Sequence, residues 1–108
     1  MFDYIEYLKT IEEFKTIKEN NEKVVFVFSA NWCPDCLMLD KFFEETVNKF
    51  SDIKFIYIDR DKFPEIIQTL DIFGIPSFIA YKNNKEVARF VSKIAKTQNE
   101  VENFLLKI

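Results

Sequence analysis

The stretch that decides the fold runs from Val24 to Cys36 and reads VVFVFSANWCPDC. Its first five residues are β-formers with no polar residue among them, which is typical of a strand buried on both faces of a sheet. Its last four are Cys33-Pro34-Asp35-Cys36, and proline suits the first turn of a helix, where its missing N–H costs nothing. The stretch therefore predicts a buried strand that leads into a helix, with two cysteines at the junction.

The elements after this junction alternate between helix and strand. The helix is predicted to run to about residue 50, because apolar residues recur along it at steps of four, four and three. A second buried strand is predicted over Ile53–Ile58, and a short helix from Phe63-Pro64 to Leu70. The apolar stripe of the long helix consists of Leu39, Phe43, Val47 and Phe50.

The N-terminal region is predicted to form one helix. Thr10-x-x-Glu13 is a capping box that opens it, and the helical pattern ends at Asn20-Asn21. Residues 4–8 fit either a short edge strand or the first turns of a helix, and the sequence leaves both open. The residues expected to face inward are Ile11, Phe14 and Ile17.

The C-terminal region is predicted to form a hairpin and a helix. Asn83-Asn84 favours a tight turn between strands over Ser77–Lys82 and Glu86–Val91. Thr97-x-x-Glu100 is a second capping box and opens the last helix. The apolar face of that helix consists of Val101, Phe104 and Leu105.

This order of elements predicts an α/β fold. Strand–helix–strand units imply parallel pairing with right-handed crossovers, and the hairpin adds antiparallel strands. We expect one domain over residues 1–108, with a mixed central sheet of four to five strands and helices on both faces. An all-helical fold does not account for the two β-rich runs.

Composition excludes several functions. The chain has 108 residues, of which 48% are hydrophobic and thirteen are Phe, so it can build a core. It has no His and two Cys, which excludes Ser-His-Asp and Cys-His nucleophile pairs and mixed Cys/His zinc sites. A net charge of −3 argues against nucleic-acid binding, and no apolar run is long enough to span a membrane. The N-terminus does not read as a secretory signal, so we expect a cytoplasmic protein.

The two cysteines form the candidate active site. The N-terminus of a helix stabilises negative charge, which favours the thiolate of Cys33, the reactive form of the side chain. Cys36 lies about one turn further along, so it can resolve a mixed disulfide formed on Cys33. Accidental core cysteines and half of an intermolecular zinc site are the alternatives. A disulfide between two residues so close in sequence would reduce the entropy of the unfolded chain only slightly, so as a purely structural bond it would stabilise the fold little.

Two motifs make the chain resemble the thioredoxin family. They are Trp32-Cys33-Pro34-Asp35-Cys36 and, about forty residues later, Gly74-Ile75-Pro76-Ser77. The resemblance covers nearly the whole chain, and it is greatest to small thioredoxin-like proteins with a Cys-Pro-Asp-Cys site. It implies a thioredoxin fold, thiol–disulfide oxidoreductase activity, and no bound cofactor beyond a redox-active Cys33–Cys36 disulfide.

The resemblance also implies roles for individual residues. Cys33 would be the nucleophile, Cys36 the resolving thiol, and Pro76 a cis proline packed against them. The backbone of Ile75 would be free to pair with an extended substrate strand. Trp32 would cover the site, and the other substrate-binding positions would be Pro34, Asp35, Phe73 and Gly74.

The chain departs from the family at the buried charged pair beneath the active site. The family's buried Asp corresponds to Val27, and we match its accompanying Lys to Phe55. Asp40 lies one turn beyond Cys36 and is our candidate proton relay, because residues i and i+4 share a helix face. The alternative is that Asp40 belongs to a solvated surface.

Partners and redox direction follow from the same residues. The Asp35 carboxylate disfavours a thiolate nearby, which makes the couple more reducing. We expect a monomer that reduces protein disulfides, with a thioredoxin reductase or a low-molecular-weight thiol as electron donor and with no nucleic-acid or membrane partner. The alternatives are a redox-sensitive interaction module with little turnover and a glutaredoxin-like dithiol enzyme.

Overall fold

A five-stranded mixed sheet organises the chain, as the sequence predicts. The computed structural model describes all of residues 1–108. The strands are β1 (Glu6–Tyr7), β2 (Lys23–Ser29), β3 (Lys54–Asp59), β4 (Ser77–Lys82) and β5 (Lys85–Phe90). The helices are α1 (Ile11–Asn20), α2 (Pro34–Lys49), α3 (Pro64–Thr69) and α4 (Gln98–Leu105).

The strands lie in the order β1-β3-β2-β4-β5, with β2 at the centre. β2 runs parallel to β3 and antiparallel to β4, and β5 completes the hairpin with β4. Six of the seven residues of β2 are buried, because helices cover the sheet on both sides. Residues 4–8, left open by the sequence, include the edge strand β1, which pairs in parallel with β3.

The side chains of β2 alternate between two hydrophobic cores. Val25 and Val27 face α2 and α4, where Leu39 and Phe43 pack beside Phe104. The opposite face carries Val24, Phe26 and Phe28 against α1 and α3. That second core includes Val24, Phe26, Phe28, Ile56, Ile58, Ile66 and Ile79.

The helix ends follow the sequence with two corrections. Thr97 and Glu100 form the predicted capping box in full, with each side chain accepting the other residue's backbone N–H. At α1 only half of the box forms, because Glu13 accepts the N–H of Lys9 rather than that of Thr10. The prediction that Ile11 faces inward is wrong. Its side chain is 43% exposed, since it occupies the first position of the helix, at the margin of the apolar face.

The hairpin turn takes the predicted place. Asn83 and Asn84 have φ values of 51° and 66°, the left-handed pair that a tight two-residue turn between twisted strands needs. Asn tolerates this conformation better than most residues. The turn fixes β5 beside β4, and the chain then returns through residues 91–97 to α4, past the end of the sheet where α2 begins.

Candidate active site

The sulfur of Cys33 caps the N-terminus of α2. Cys33 Sγ accepts the backbone N–H of Cys36 at 3.2 Å, and Pro34 occupies the first turn. The first N–H groups of a helix lack partners within the helix, and they favour negative charge on an acceptor placed there. Cys33 is buried, with only 4% of the residue exposed. The capping position places its sulfur where the N-terminus of a helix stabilises an anion.

Cys36 lies beneath Cys33 and is fully buried. Burial raises the pKa of the Cys36 thiol well above its ordinary value, and its hydrogen bond with Cys33 raises it further. The neighbouring Ser29 side chain and Ala30 backbone lower this pKa, an effect smaller than that of burial. Both cysteines are free thiols. At neutral pH Cys36 therefore remains protonated.

The segment Gly74–Pro76 forms one wall of the site. The peptide bond between Ile75 and Pro76 is cis, which confirms this part of the prediction for Pro76; its packing against the cysteines stays a prediction. The Ile75 carbonyl oxygen lies 3.9 Å from Cys33 Sγ and accepts no backbone hydrogen bond. A Cβ atom on Gly74 would lie 2.3 Å from the carbonyl oxygen of Ser92, so only glycine fits there. The wall is thus held between the cysteines and the loop that carries Ser92.

Two aromatic side chains are exposed at the rim. Trp32 and Phe73 are 55% and 58% exposed, which excludes a core role for Trp32. The indole Nε1–H of Trp32 donates to Asp61 Oδ2 at 2.7 Å, and the guanidinium of Arg60 lies 5.7 Å from the indole ring. These contacts hold Trp32 against the loop that follows β3.

Comparison with known proteins identifies the family. A sequence model described as Thioredoxin matches residues 6–107. The chain belongs to the thioredoxin family. It is 41% identical over 75 residues to thioredoxin of Gallus gallus, a match covering 68% of this chain and 71% of the relative. It is 33% identical over 78 residues to Thioredoxin H2 of Arabidopsis thaliana. This second match covers 72% of this chain but only 59% of the relative's length.

Solved structures share the fold. Oxidised mitochondrial thioredoxin 3 of Saccharomyces cerevisiae superposes with a TM-score of 0.86 at 22% identity, covering 97% of this chain and 96% of that one. The five-stranded mixed sheet with helices is therefore a thioredoxin fold. No helix of this chain is both long and apolar enough to cross a membrane. No cluster of three or more His, Cys, Asp or Glu side chains that could hold a metal ion is present.

The register of the sheet places a tyrosine beside Val27. Val27 pairs with Tyr57, whereas Phe55 pairs with Val25. Phe55 and Tyr57 are both buried and belong to the same hydrophobic core as Val25 and Val27. The match of Phe55 to the family's buried Lys stays a prediction, and the residue directly beside Val27 carries a hydroxyl.

Ser29 is the polar residue that the sequence analysis missed. It is fully buried on the same face of β2 as Val27, because alternate residues of a strand share a face. Burial raises the pKa of Tyr57 to about 12, against a hydrogen bond with Ser29 that lowers it. The Ser29 hydroxyl also lies 3.8 Å from the sulfur of Met1. Side chains of a strand alternate between its two faces, so Ser29 is expected on the same face as Val27, and this pattern could have pointed to Ser29.

Asp40 is half-buried and faces the N-terminal segment. Its Oδ1 accepts the Phe2 N–H at 3.0 Å and the Tyr4 hydroxyl at 2.8 Å. The Asp40–Tyr4 bond and burial together hold the pKa of Tyr4 far above its ordinary value, burial being the larger cause. Asp40 therefore anchors the N-terminus to α2. Its part as a proton relay to Cys36 stays a prediction.

Proposed function

We propose that the chain reduces protein disulfides by a dithiol mechanism, with Cys33 as nucleophile and Cys36 as resolving thiol. The observation that carries this proposal is the position of Cys33 Sγ at the N-terminus of α2, beside a buried Cys36 that stays protonated. The Cys33 thiol is thus placed to react first, while the Cys36 thiol stays protonated until the second step. Membership of the thioredoxin family supports the same chemistry.

In the first step the Cys33 thiolate attacks one sulfur of a substrate disulfide. The substrate S–S bond breaks, a bond forms between Cys33 and one substrate sulfur, and the other sulfur leaves as a thiolate. That thiolate takes up a proton. The N–H groups at the start of α2 stabilise the starting thiolate, so they favour its formation before substrate arrives.

In the second step Cys36 loses its proton and attacks the Cys33 sulfur of the mixed disulfide. The Cys33–Cys36 disulfide forms, and the substrate leaves with its second sulfur as a thiolate that becomes a thiol on protonation. The substrate has then gained two electrons and two protons, and the cysteine pair has lost them. Asp40 is the proposed relay for the proton of Cys36.

The rim of the site supplies the substrate contacts that we propose. The Ile75 carbonyl accepts from the Cys33 thiol but from no backbone N–H, so it suits main-chain pairing with an extended substrate segment. Trp32 and Phe73 offer exposed apolar surface, and the exposed Pro34, the partly buried Asp35 and Gly74, and the buried Pro76 complete the proposed substrate contacts. Such a rim fits a disulfide in an extended, exposed part of a protein.

The proposal includes the electron donor and the cellular compartment in which the chain acts. A thioredoxin reductase or a low-molecular-weight thiol returns the Cys33–Cys36 disulfide to the dithiol. The cytosol suits the reaction, because its reducing systems keep such pairs reduced. The chain works as a monomeric single domain with no bound cofactor.

Trapping and turnover together test the proposal. Wild-type protein is mixed with insulin and dithiothreitol, and insulin precipitation is followed against dithiothreitol alone. The variant Cys36→Ser is incubated with cell extract, where it should accumulate mixed disulfides through Cys33. The control Cys33→Ser should trap nothing. Absence of catalysed insulin reduction, or a partner still held after both cysteines are replaced, would favour an interaction module.

A further inference from the structure

Lys96 is a buried lysine with no ion-pair partner in the structure. Only 7% of the residue is exposed, and it belongs to none of the ion pairs. Its Nζ donates to the carbonyl oxygens of Ser92 at 3.3 Å and Ile94 at 3.2 Å, and it lies 5.1 Å from the ring of Phe90. Taking an ammonium group out of water is costly without an opposite charge nearby. The position therefore calls for an anion.

The groups that can carry negative charge near Lys96 are two carboxylates and, when ionised, the cysteine pair. Burial lowers the pKa of Lys96, while the charges of Cys36, Asp35, Glu100 and Cys33 act to raise it, in that order of strength. The carboxylate of Glu100 is occupied by the capping box with Thr97. The other groups that act on the charge of Lys96 are Asp35 and the two cysteines at the start of α2. Such attraction is mutual, so the ammonium also favours a thiolate on the pair.

The loop that holds Lys96 touches the wall of the site. The Ser92 carbonyl, which accepts a hydrogen bond from Lys96, is the atom that a Cβ on Gly74 would meet at 2.3 Å. Gly74 is followed by Ile75, whose carbonyl faces Cys33 Sγ. Lys96 is therefore connected to the cysteines through one continuous set of contacts. This geometry holds the ammonium at a fixed position relative to the pair.

We propose that Lys96 is a positioning residue for the redox pair, whose buried ammonium favours the Cys33 thiolate and offsets the carboxylate of Asp35. The inference rests on the proposed function of Cys33 and Cys36. It gives the site a cation from the loop before α4, whereas Val27 and Tyr57 on the sheet beneath the pair provide no charge at neutral pH.

Alkylation of the reduced protein by iodoacetamide measures the effect without any turnover. Its rate at Cys33 follows the thiolate fraction across pH. In Lys96→Met we expect the rate at pH 7 to fall about threefold to tenfold and the pH profile to move upward, the change that loss of a nearby opposite charge produces. Lys96→Arg should stay within about twofold of wild type because it keeps the charge. Lys93→Met, an exposed neighbour in the same loop, is the matched control.

A second measurement uses wild-type protein and does not depend on how the variants fold. The Lys96 side chain is titrated by NMR in the dithiol and in the disulfide form. Because the disulfide carries no charge, the pKa of Lys96 should be higher in the dithiol form, once Cys33 is ionised. Equal values in the two forms, or a pH profile of Lys96→Met that matches wild type, would overturn the proposal. Failure of insulin reduction with these shifts intact would instead count against the proposed function alone.

Discussion

The backbone N–H of Cys36 donates to the sulfur of Cys33 across 3.2 Å. One bond thus joins the two reactive residues before any disulfide forms, and it gives them unequal roles. The sulfur that accepts lies at the positive end of a helix, while the sulfur of the donor residue is fully buried. The proposed division between nucleophile and resolving thiol therefore follows from where α2 begins.

Asp35 tunes this arrangement by charge. It lies half-buried in the first turn of α2, so its carboxylate opposes a thiolate on Cys33. In Asp35→Asn we expect alkylation of Cys33 at pH 7 to be about threefold faster. The reduction potential should rise by roughly 10 to 20 mV, because a tenfold change in the equilibrium constant corresponds to about 30 mV. Equilibration with glutathione buffers measures the potential.

The matched control for this change is Asp52→Asn. Asp52 is exposed and follows the other end of α2, a helix of 16 residues that is about 24 Å long. It should leave both the alkylation rate and the potential unchanged. An unaltered Cys33 titration in Asp35→Asn would contradict the argument from charge.

Ser29 should assist ionisation of Cys36. The interaction of its hydroxyl with the Cys36 thiol lowers the pKa of that thiol, against the larger effect of burial. Ser29→Ala should therefore raise the pKa of Cys36 further and slow resolution of the mixed disulfide at neutral pH by about threefold to tenfold. The pKa is read from the alkylation profile of Cys36 in a Cys33→Ser background, and the resolving rate by rapid quenching in the single variant.

Two comparisons make this result specific. Ser51→Ala removes an exposed hydroxyl after α2 and should change nothing. Asp40→Asn keeps an oxygen that can accept from Phe2 and Tyr4 but cannot carry a proton. A shifted resolving profile in Asp40→Asn would assign the relay to Asp40, whereas a shift in Ser29→Ala alone would assign the assistance to the hydroxyl. No change in Ser29→Ala would contradict its predicted role.

Much of this site could be predicted from the sequence because it rests on local signals. Each of these signals determines the structure of only a few neighbouring residues. They are the run Val24–Phe28, the proline after Cys33 and the Ile75-Pro76 pair. Ser29, Tyr57 and Lys96 could not be placed in the same way. Their roles depend on the register of β3 against β2 and on the path of a loop, which are set by packing between segments distant in sequence. The pairing of Val27 with Tyr57 is one such feature.

Gly74 should be among the least replaceable residues of the rim. A Cβ at this position would come within 2.3 Å of a carbonyl oxygen and 2.9 Å of the backbone nitrogen of Lys93, and neither can swing aside as a side chain would. Gly74→Ala should lower the free energy of unfolding by about 1–3 kcal/mol. It should also displace the loop that carries Lys96. Urea unfolding measures the loss, with Ser51→Ala as control, and wild-type stability would show that the loop yields freely.

Tyr4 should make the fold sensitive to alkali. Burial and Asp40 raise the pKa of its hydroxyl above 10, the value expected in the unfolded chain. Its contribution to stability is therefore fully present below pH 10 and is lost as pH rises further, because only the unfolded chain then ionises readily. Between pH 9 and pH 11 the free energy of unfolding should fall more steeply in wild type than in Tyr4→Phe. Equal slopes would contradict the raised pKa.

The bond between Trp32 and Asp61 gives the last prediction. It is 2.7 Å long, it links the residue before Cys33 to the loop after β3, and Trp32 is the single tryptophan of the chain. Asp61→Ala should free the indole, so the fluorescence anisotropy of Trp32 should fall. The value of kcat/KM for insulin should drop about twofold to fivefold through a higher KM, because one exposed charged hydrogen bond is lost. Asp61→Asn keeps an acceptor and should lie between wild type and Asp61→Ala. Unchanged anisotropy in Asp61→Ala would show that the contact with Arg60 alone positions the ring.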